Sequence, residues 1–320
     1  MSKIIAVTGG TGAQGGGVAN IMLKTPGWKV RVITRNADGE KAKALVAQGA
    51  EVVQADFNDE DSLVKAFEGV HAIFAVTNFW EALFTGNTQQ QAGEIEEEQS
   101  MKLARAATKT STLEHYIWST LPGAKNMTDG KIEVPHLDYK ANVDARIKSE
   151  LPQLANKTTY LFFGYYPSNM AFFPFLKPIE VPGTGKWIQI LPTPSTATIP
   201  ITGDMTITPG TWVRQILANG SKTFGKYAIV ASEILTFGEL LEIWSQVSGR
   251  EGAYLETTLD DFAKVWGVAG AEMGAQLKFG EVITDWGTNY PGLISKEDLG
   301  ITEDDAPGAK KALEALKSFL

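Results

Sequence analysis

The chain has 320 residues, enough for one large or two fused domains with a sizeable core. Its 43% hydrophobic and 21% charged residues are ordinary globular usage and exclude a disordered, collagen-like or coiled-coil chain. With 29 basic against 37 acidic residues the formal charge is −8, which argues against direct nucleic-acid binding, and the absence of cysteine removes disulfides, thiolate metal sites and thiol nucleophiles together.

The first half alternates β-rich apolar runs with helical patterns. Ile4–Thr8 reads as a strand, Gly15–Lys24 as a helix, Lys29–Thr34 as a strand, Glu40–Ala47 as a helix and Glu51–Ala55 as a strand. Glu60–Phe67 then reads as helix, Ala72–Val76 as strand, Gly93–Lys109 as helix, Tyr116–Ser119 as strand, Asp138–Ser149 as helix and Thr158–Phe163 as strand. Such alternation calls for an α/β fold, a doubly wound parallel sheet with helices on both faces. After Phe163 the texture changes, and prolines from Pro167 to Pro200 break up long elements, so Gly164–Pro209 reads as an irregular cap. Helical signals return at Trp212–Ala218, Phe237–Ser248, Leu259–Val265 and Ala309–Phe319, with strands at Tyr227–Ala231 and Tyr254–Thr257. The expected division is a nucleotide-binding domain over 1–163 and a smaller α+β substrate or cap domain over 164–320, whose late strands are free to join the first sheet.

Directly after the first strand, Gly9-Gly10-Thr11-Gly12-Ala13-Gln14-Gly15 gives G-x-x-G-x-x-G at the start of a helix. Gly9 permits a tight turn, Gly12 a close backbone approach to a pyrophosphate, and Gly15 close helix–sheet packing, while the helix N-terminus supplies amide donors for an anion. The context makes this a dinucleotide-binding, Rossmann-type loop. At the end of the second strand, where a carboxylate would accept from a ribose 2′-hydroxyl, stands Arg35, a residue type suited to a 2′-phosphate; it favours NADP(H) over NAD(H). Asp56 and Phe57 follow the third strand beside the expected adenine, although Asp56 reads nearly as well as a turn or helix cap. Thr77, Asn78, Phe79 and Trp80 follow the fourth strand, where cofactor and substrate meet, with ordinary packing as the other reading of the two aromatics. The run from Phe162 to Phe173 puts aromatics over that end, with Tyr165, Asn169 and Phe172 as candidate substrate contacts and a core between the two halves as the alternative.

A short-chain dehydrogenase needs Tyr-x-x-x-Lys, yet none of the eight tyrosines has Lys four residues on. What stands there is His136-Leu137-Asp138-Tyr139-Lys140, which puts His136 and Lys140 on one helical face. His136 suits proton exchange at neutral pH, but its place after Pro135 equally suits a structural hydrogen bond at a helix start. The other hydroxyls able to handle protons are Tyr139, Ser119 and Thr120, Ser119 reading also as a strand-end cap. His71, His115 and His136 are scattered, so no metal site is expected. No run approaches ~20 apolar residues, which predicts neither a membrane span nor a signal segment and an address in the cytoplasm or nucleus.

Thr8–Gly16, Val32–Asn36, Ala55–Phe57, Val76–Glu81 and His136–Lys140 together resemble the NmrA-like family of atypical short-chain dehydrogenases, densely over the first half and loosely afterwards. The resemblance implies a Rossmann domain with a smaller C-terminal domain and NADP(H) as cofactor. It assigns Gly9, Thr11, Gly12, Ala13, Gln14 and Gly15 to the pyrophosphate, Arg35 to the 2′-phosphate, Asp56 and Phe57 to the adenine, and Thr77, Asn78 and Lys140 to the nicotinamide ribose. That family includes NADP(H)-sensing transcriptional co-regulators, quinone reductases and enzymes of fungal secondary metabolism. Two functions follow as expectations. One is an NADP(H)-dependent oxidoreductase acting on a small apolar or aromatic carbonyl, quinone, imine or enone, working as monomer or homodimer, with Lys140, His136 and Tyr139 as catalytic candidates. The other is a non-catalytic sensor that shows a protein partner a surface such as the acidic run Glu94–Glu98. Lys140→Ala is expected to lower cofactor affinity or turnover with the fold intact.

Overall fold

The computed structural model describes residues 2–287, 289–290 and 292–320. In chain order the first half forms β1 (Lys3–Thr8), α1 (Ala13–Met22), β2 (Trp28–Thr34), α2 (Glu40–Ala47), β3 (Glu51–Gln54), α3 (Glu60–Ala66), β4 (Ala72–Ala75) and α4 (Phe79–Phe84). It continues through α5 (Gln89–Thr108), β5 (His115–Thr120), α6 (Ala124–Met127), α7 (Pro135–Glu150), α8 (Pro152–Ala155) and β6 (Thr158–Phe163). The second half holds α9 (Asn169–Phe172), β7 (Ile179–Val181), β8 (Lys186–Leu191), β9 (Thr198–Ile201), α10 (Thr208–Asn219) and β10 (Tyr227–Val230). It ends with β11 (Glu233–Thr236), α11 (Phe237–Ser248), β12 (Glu251–Glu256), α12 (Leu259–Val282) and α13 (Ala309–Glu314).

Seven strands make one parallel sheet in the order β10-β6-β5-β4-β1-β2-β3, the doubly wound arrangement the alternation calls for. β5 and β6 are buried at every residue, their apolar centres Tyr116–Trp118 and Tyr160–Phe163 flanked by buried polar side chains. One core, with Trp118, Tyr160 and Phe162, lies under α3, α5 and α7; a second, with Val18, Trp212 and Ile216, lies under α1 and α10. β10, from the second half of the chain, pairs parallel with β6 and extends the sheet. A third core, built on Phe237, Trp244, Phe262 and Leu277, joins α4, α11 and α12 beyond the carboxyl ends of the strands.

The stretch from Gly164 to Pro209 is more regular than its prolines suggest. β8 ends just before Pro192 and pairs with both β7 and β12, and β9 tolerates Pro200 because on its edge away from β11 it meets the isolated bridge to Tyr165, where Pro200 contributes its carbonyl oxygen rather than an amide. Pro209 opens α10 from its first turn, where a missing amide costs nothing. The helix read over Leu259–Val265 runs on to Val282 through a break at Gly267, whose φ of 64° no β-carbon-bearing residue adopts easily. Gly267, Gly270 and Gly274 signal interruption in sequence, yet Gly270 and Gly274 sit hard against Trp266 and Leu259, so packing outweighs propensity. α5 begins at Gln89 because Thr88 and Gln91 form a capping box. The terminal run becomes α13 followed by a 3-10 turn at Lys317–Phe319.

Candidate active site

The carboxyl ends of β1 to β6 open into a cavity of about 780 Å³. β1 and β4 are neighbours in the sheet while their chain continuations cover opposite faces, which is where open α/β sheets leave a ligand crevice. At its floor Gly9 takes φ 59° and accepts a hydrogen bond from the Gly12 amide at 2.8 Å. A β-carbon on Gly15 would stand 2.4 Å from the Gly9 carbonyl oxygen, so the close cross-over of loop and helix admits no side chain there. Gly12 caps α1 with no side chain, which leaves the first-turn amides facing the cavity.

Gly9, Thr11, Gly12, Ala13, Gln14, Gly15, Arg35, Asp56, Phe57, Thr77, Asn78, Phe79, Trp80, His136, Lys140, Tyr165, Asn169 and Phe172 all line this one cavity, as do Ser119 and Thr120. Arg35 stands at its rim in a bidentate pair with Glu81 of α4, the second contact measuring 2.8 Å. Asp56 accepts from the Asn58 backbone and side chain, while the helix cap before Glu60 is Asp59. Tyr139 is the exception and corrects its grouping with the catalytic residues. One step from Lys140 turns a side chain about 100°, and its ring lies against Gly93 of α5, outside the cavity lining.

Lys140 is buried, and its Nζ lies 2.9 Å from Glu96 Oε1, donates to Thr77 Oγ1 at 3.0 Å and sits 5.0 Å from the centre of the Trp118 ring. Thr77 in turn donates to Glu96, whose other oxygen, Oε2, is buried with no partner. Within the acidic run Glu94–Glu98, Glu96 points inward, Glu97 pairs with Arg146 and Glu98 with Arg105, while Glu94 is exposed. His136, the other buried base, lies between Glu272 and Gln276 of α12 and under the rings of Phe79 and Trp80. Ser119 donates to Gln14 at 2.6 Å, and Gln14 donates on to the Tyr166 hydroxyl at 2.5 Å. Burial pushes the Tyr166 phenol up to about 12 against the opposing Gln14 hydrogen bond. Tyr165, by contrast, turns its hydroxyl into the core against Phe237, where it has no partner.

The residues that sequence reasoning missed are Glu81, Glu96, Tyr166, Glu272 and Gln276. Glu272 leaves one signal, a lone carboxylate in the apolar stretch Val268-Ala269-Gly270-Ala271-Glu272-Met273-Gly274-Ala275. Among the described residues no cluster of acidic or histidine side chains could hold a metal ion, and no helix is long and apolar enough to cross a membrane.

The sheet order, the glycine loop at β1 and the cavity above it define a Rossmann-type nucleotide-binding fold. The NmrA-like family profile matches residues 1–300, and the chain belongs to that family. An NmrA-like family domain-containing oxidoreductase, hkm9 of Aspergillus hancockii, is 27% identical over 262 residues, which cover 79% of this chain and 75% of the relative. Among solved structures, the negative transcriptional regulator NmrA in complex with NADP aligns at a TM-score of 0.72 and 23% identity, over 99% of this chain and 91% of that one. The triphenylmethane reductase of Citrobacter sp. complexed with NADP(H) aligns at 0.68 and 19%, over 98% of this chain and all (100%) of that one.

Proposed function

We propose that the protein is an NADP(H)-dependent oxidoreductase acting on a small apolar or aromatic carbonyl, quinone, imine or enone. The observation that carries this is the continuity of one cavity from the bare α1 N-terminus, past Arg35 and Lys140, to the aromatic wall of Phe79, Trp80, Phe172 and Phe173. The cofactor fits the residues present. The Gly9–Gly15 crossing leaves no room for side chains where a pyrophosphate would meet the helix amides, and Arg35 offers a fork for a 2′-phosphate. Asp56 and Phe57 would flank the adenine, and Thr77, Asn78 and Lys140 would hold the nicotinamide ribose. When bound, the dinucleotide supplies or takes up hydride. Residues 1–163 would then hold most of the cofactor, and 164–320 would close the substrate end through Tyr165, Asn169 and Phe172. The names of a 27% identical oxidoreductase relative and of a similarly folded NADP(H)-bound reductase support this reading.

A second reading, a sensor that binds NADP(H) and shows a partner the result, is favoured by the missing tyrosine four residues before Lys140 and by the fold shared with a transcriptional regulator. The deciding experiment measures NADPH binding by fluorescence and then NADPH consumption across quinones, enones, imines and aromatic ketones. Substrate-dependent consumption establishes the oxidoreductase. Tight binding with no consumption across the panel turns the assignment to the sensor, and no binding refutes both.

A further inference from the structure

We propose that Glu272 is a positioning residue that keeps His136 doubly protonated at the cavity wall, so that the imidazolium donates the proton which the absent tyrosine would otherwise supply. This rests on the oxidoreductase reading above. Glu272 is fully buried on α12, and its Oε1 lies 2.6 Å from His136 Nδ1 and accepts the His136 backbone amide at 2.8 Å. Its Oε2 accepts from Gln89 at 2.6 Å. Burial opposes ionisation of this carboxyl, but the hydrogen bonds and charge of His136, with Gln89, hold it below the usual carboxylate range. A carboxylate so fixed requires a proton on Nδ1.

The other ring nitrogen, Nε2, lies 2.9 Å from Gln276 Oε1, a second acceptor. A carboxylate at Nδ1 and an amide oxygen at Nε2 form an arrangement that suits a ring with a proton on each nitrogen. His136 and Gln276 line the cavity and Glu272 does not, so the carboxylate stands behind the ring and Nε2 is the nitrogen on the cavity side. The surroundings contain little to oppose this charge state. α4 contributes the rings of Phe79 and Trp80, at 5.7 and 5.3 Å, and α5 contributes the neutral Gln89. On α7 itself, Asp138 acts through space while its oxygens accept the Lys125 and Val134 amides, and Lys140, one turn on, is paired with Glu96. Among the described residues, Glu272 is thus the carboxylate that touches the ring.

In reduction of a C=O or C=N group a bound dinucleotide would supply the hydride pair to the carbon, and the π pair would pass to the heteroatom. The heteroatom takes Gln276's place at Nε2 and receives its proton, so that an N–H bond breaks and an O–H or N–H bond forms. Glu272 remains ionised throughout, and the neutral ring regains a proton from water.

The test uses the full chain labelled with 15N-histidine, whose three histidines are His71, His115 and His136. His136→Gln identifies the His136 signals, and spectra are followed from about pH 5.5 to 9. Wild-type His136 is expected to show both nitrogens protonated at about pH 7.5, and Glu272→Gln to lower its titration midpoint measurably. NADP⁺ affinity, read by calorimetry, should stay within about twofold in that variant, because Glu272 does not line the cavity. One unprotonated nitrogen in the wild type at that pH, or an unmoved midpoint in Glu272→Gln, overturns the proposal. If Glu272→Gln does not fold, the wild-type spectrum decides alone. Failure of the wild type to bind NADP⁺ would instead overturn the oxidoreductase reading, and the charge state of His136 would still be measured.

Discussion

Lys140→Met removes the ammonium while keeping most of the stem, and it strands Glu96 in the interior. At 2.9 Å and an effective dielectric of about 20, the attraction between the two charges is roughly 6 kcal/mol before either is taken out of water. Side-chain exposures of 10% and 2% mean that both are largely dehydrated, so desolvation cancels much of that attraction. Removing one partner is different: it leaves the other uncompensated, and Glu96 Oε2 already lacks a donor. The expected cost of Lys140→Met is ~3–5 kcal/mol, with recovery of most of it in the Glu96→Gln/Lys140→Met double variant. Urea denaturation followed by tryptophan fluorescence, without cofactor, measures all four proteins of the cycle. A loss below about 1 kcal/mol for Lys140→Met, or single effects that add within ~0.5 kcal/mol, would refute the buried pair. The result bears on Lys140→Ala too. Sequence alone makes it a probe of cofactor affinity with the fold intact, whereas the structure makes it a stability variant as well.

Arg35→Ala should weaken NADP(H) binding by about tenfold and leave NAD(H) binding nearly unchanged, since the exposed guanidinium must also be released by Glu81; equal losses in a paired titration would contradict the 2′-phosphate role. Asp144, buried against Trp118 and Tyr227, has its carboxyl pushed up to about 7 by burial, so the native state holds a proton that the unfolded state has lost above about pH 4. Its stabilising effect is present at low pH and fades as pH rises through 7; relative to wild type, Asp144→Asn should gain about 3 kcal/mol between pH 5 and 8, and a pH-independent difference would exclude this. Burial pushes His115 down to about 4, so the unfolded chain takes up its proton first and stability is lost as pH falls from 6.5 toward 4. His115→Gln should remove about 3 kcal/mol of that slope, and an unchanged acid limb in thermal melts would count against it.

The parallel sheet was legible because buried strands and their crossover helices keep distinct periodicities, and Glu40–Ala47, Thr158–Phe163 and Phe237–Ser248 match to the residue. Gly9 to Gly15 was legible for a related reason: the crossing of loop and helix needs glycine locally, so the need is written in adjacent positions. Glu96 and Glu272 were not legible, because each meets its partner only across a long separation in sequence. Glu96 looked like one member of an acidic surface run, and nothing local reveals that it alone turns inward to Lys140. Glu272 is 136 residues from the histidine it touches. Tyr165 and Tyr166 show the same limit in miniature. Adjacent phenols after β6 cannot both face the cavity with their hydroxyls, and only the tertiary structure shows that Tyr166 meets Gln14 while Tyr165 meets Phe237.

The two buried bases of the cavity have a common design with different consequences. Lys140 is held by a carboxylate from α5, and His136 by one from α12, so each half of the chain supplies one counter-charge. Neither pair adds net charge to the cavity, and Arg35 too is paired, with Glu81, so the unopposed attraction for phosphates is that of the uncapped start of α1 until Glu81 releases the guanidinium. A hydroxyl-bearing ligand at Lys140 would therefore share it with Glu96. His136 differs because its carboxylate is saturated by three donors and stands behind the ring. On the reading proposed above, His136 is the base whose counter-charge does not compete for the substrate's face.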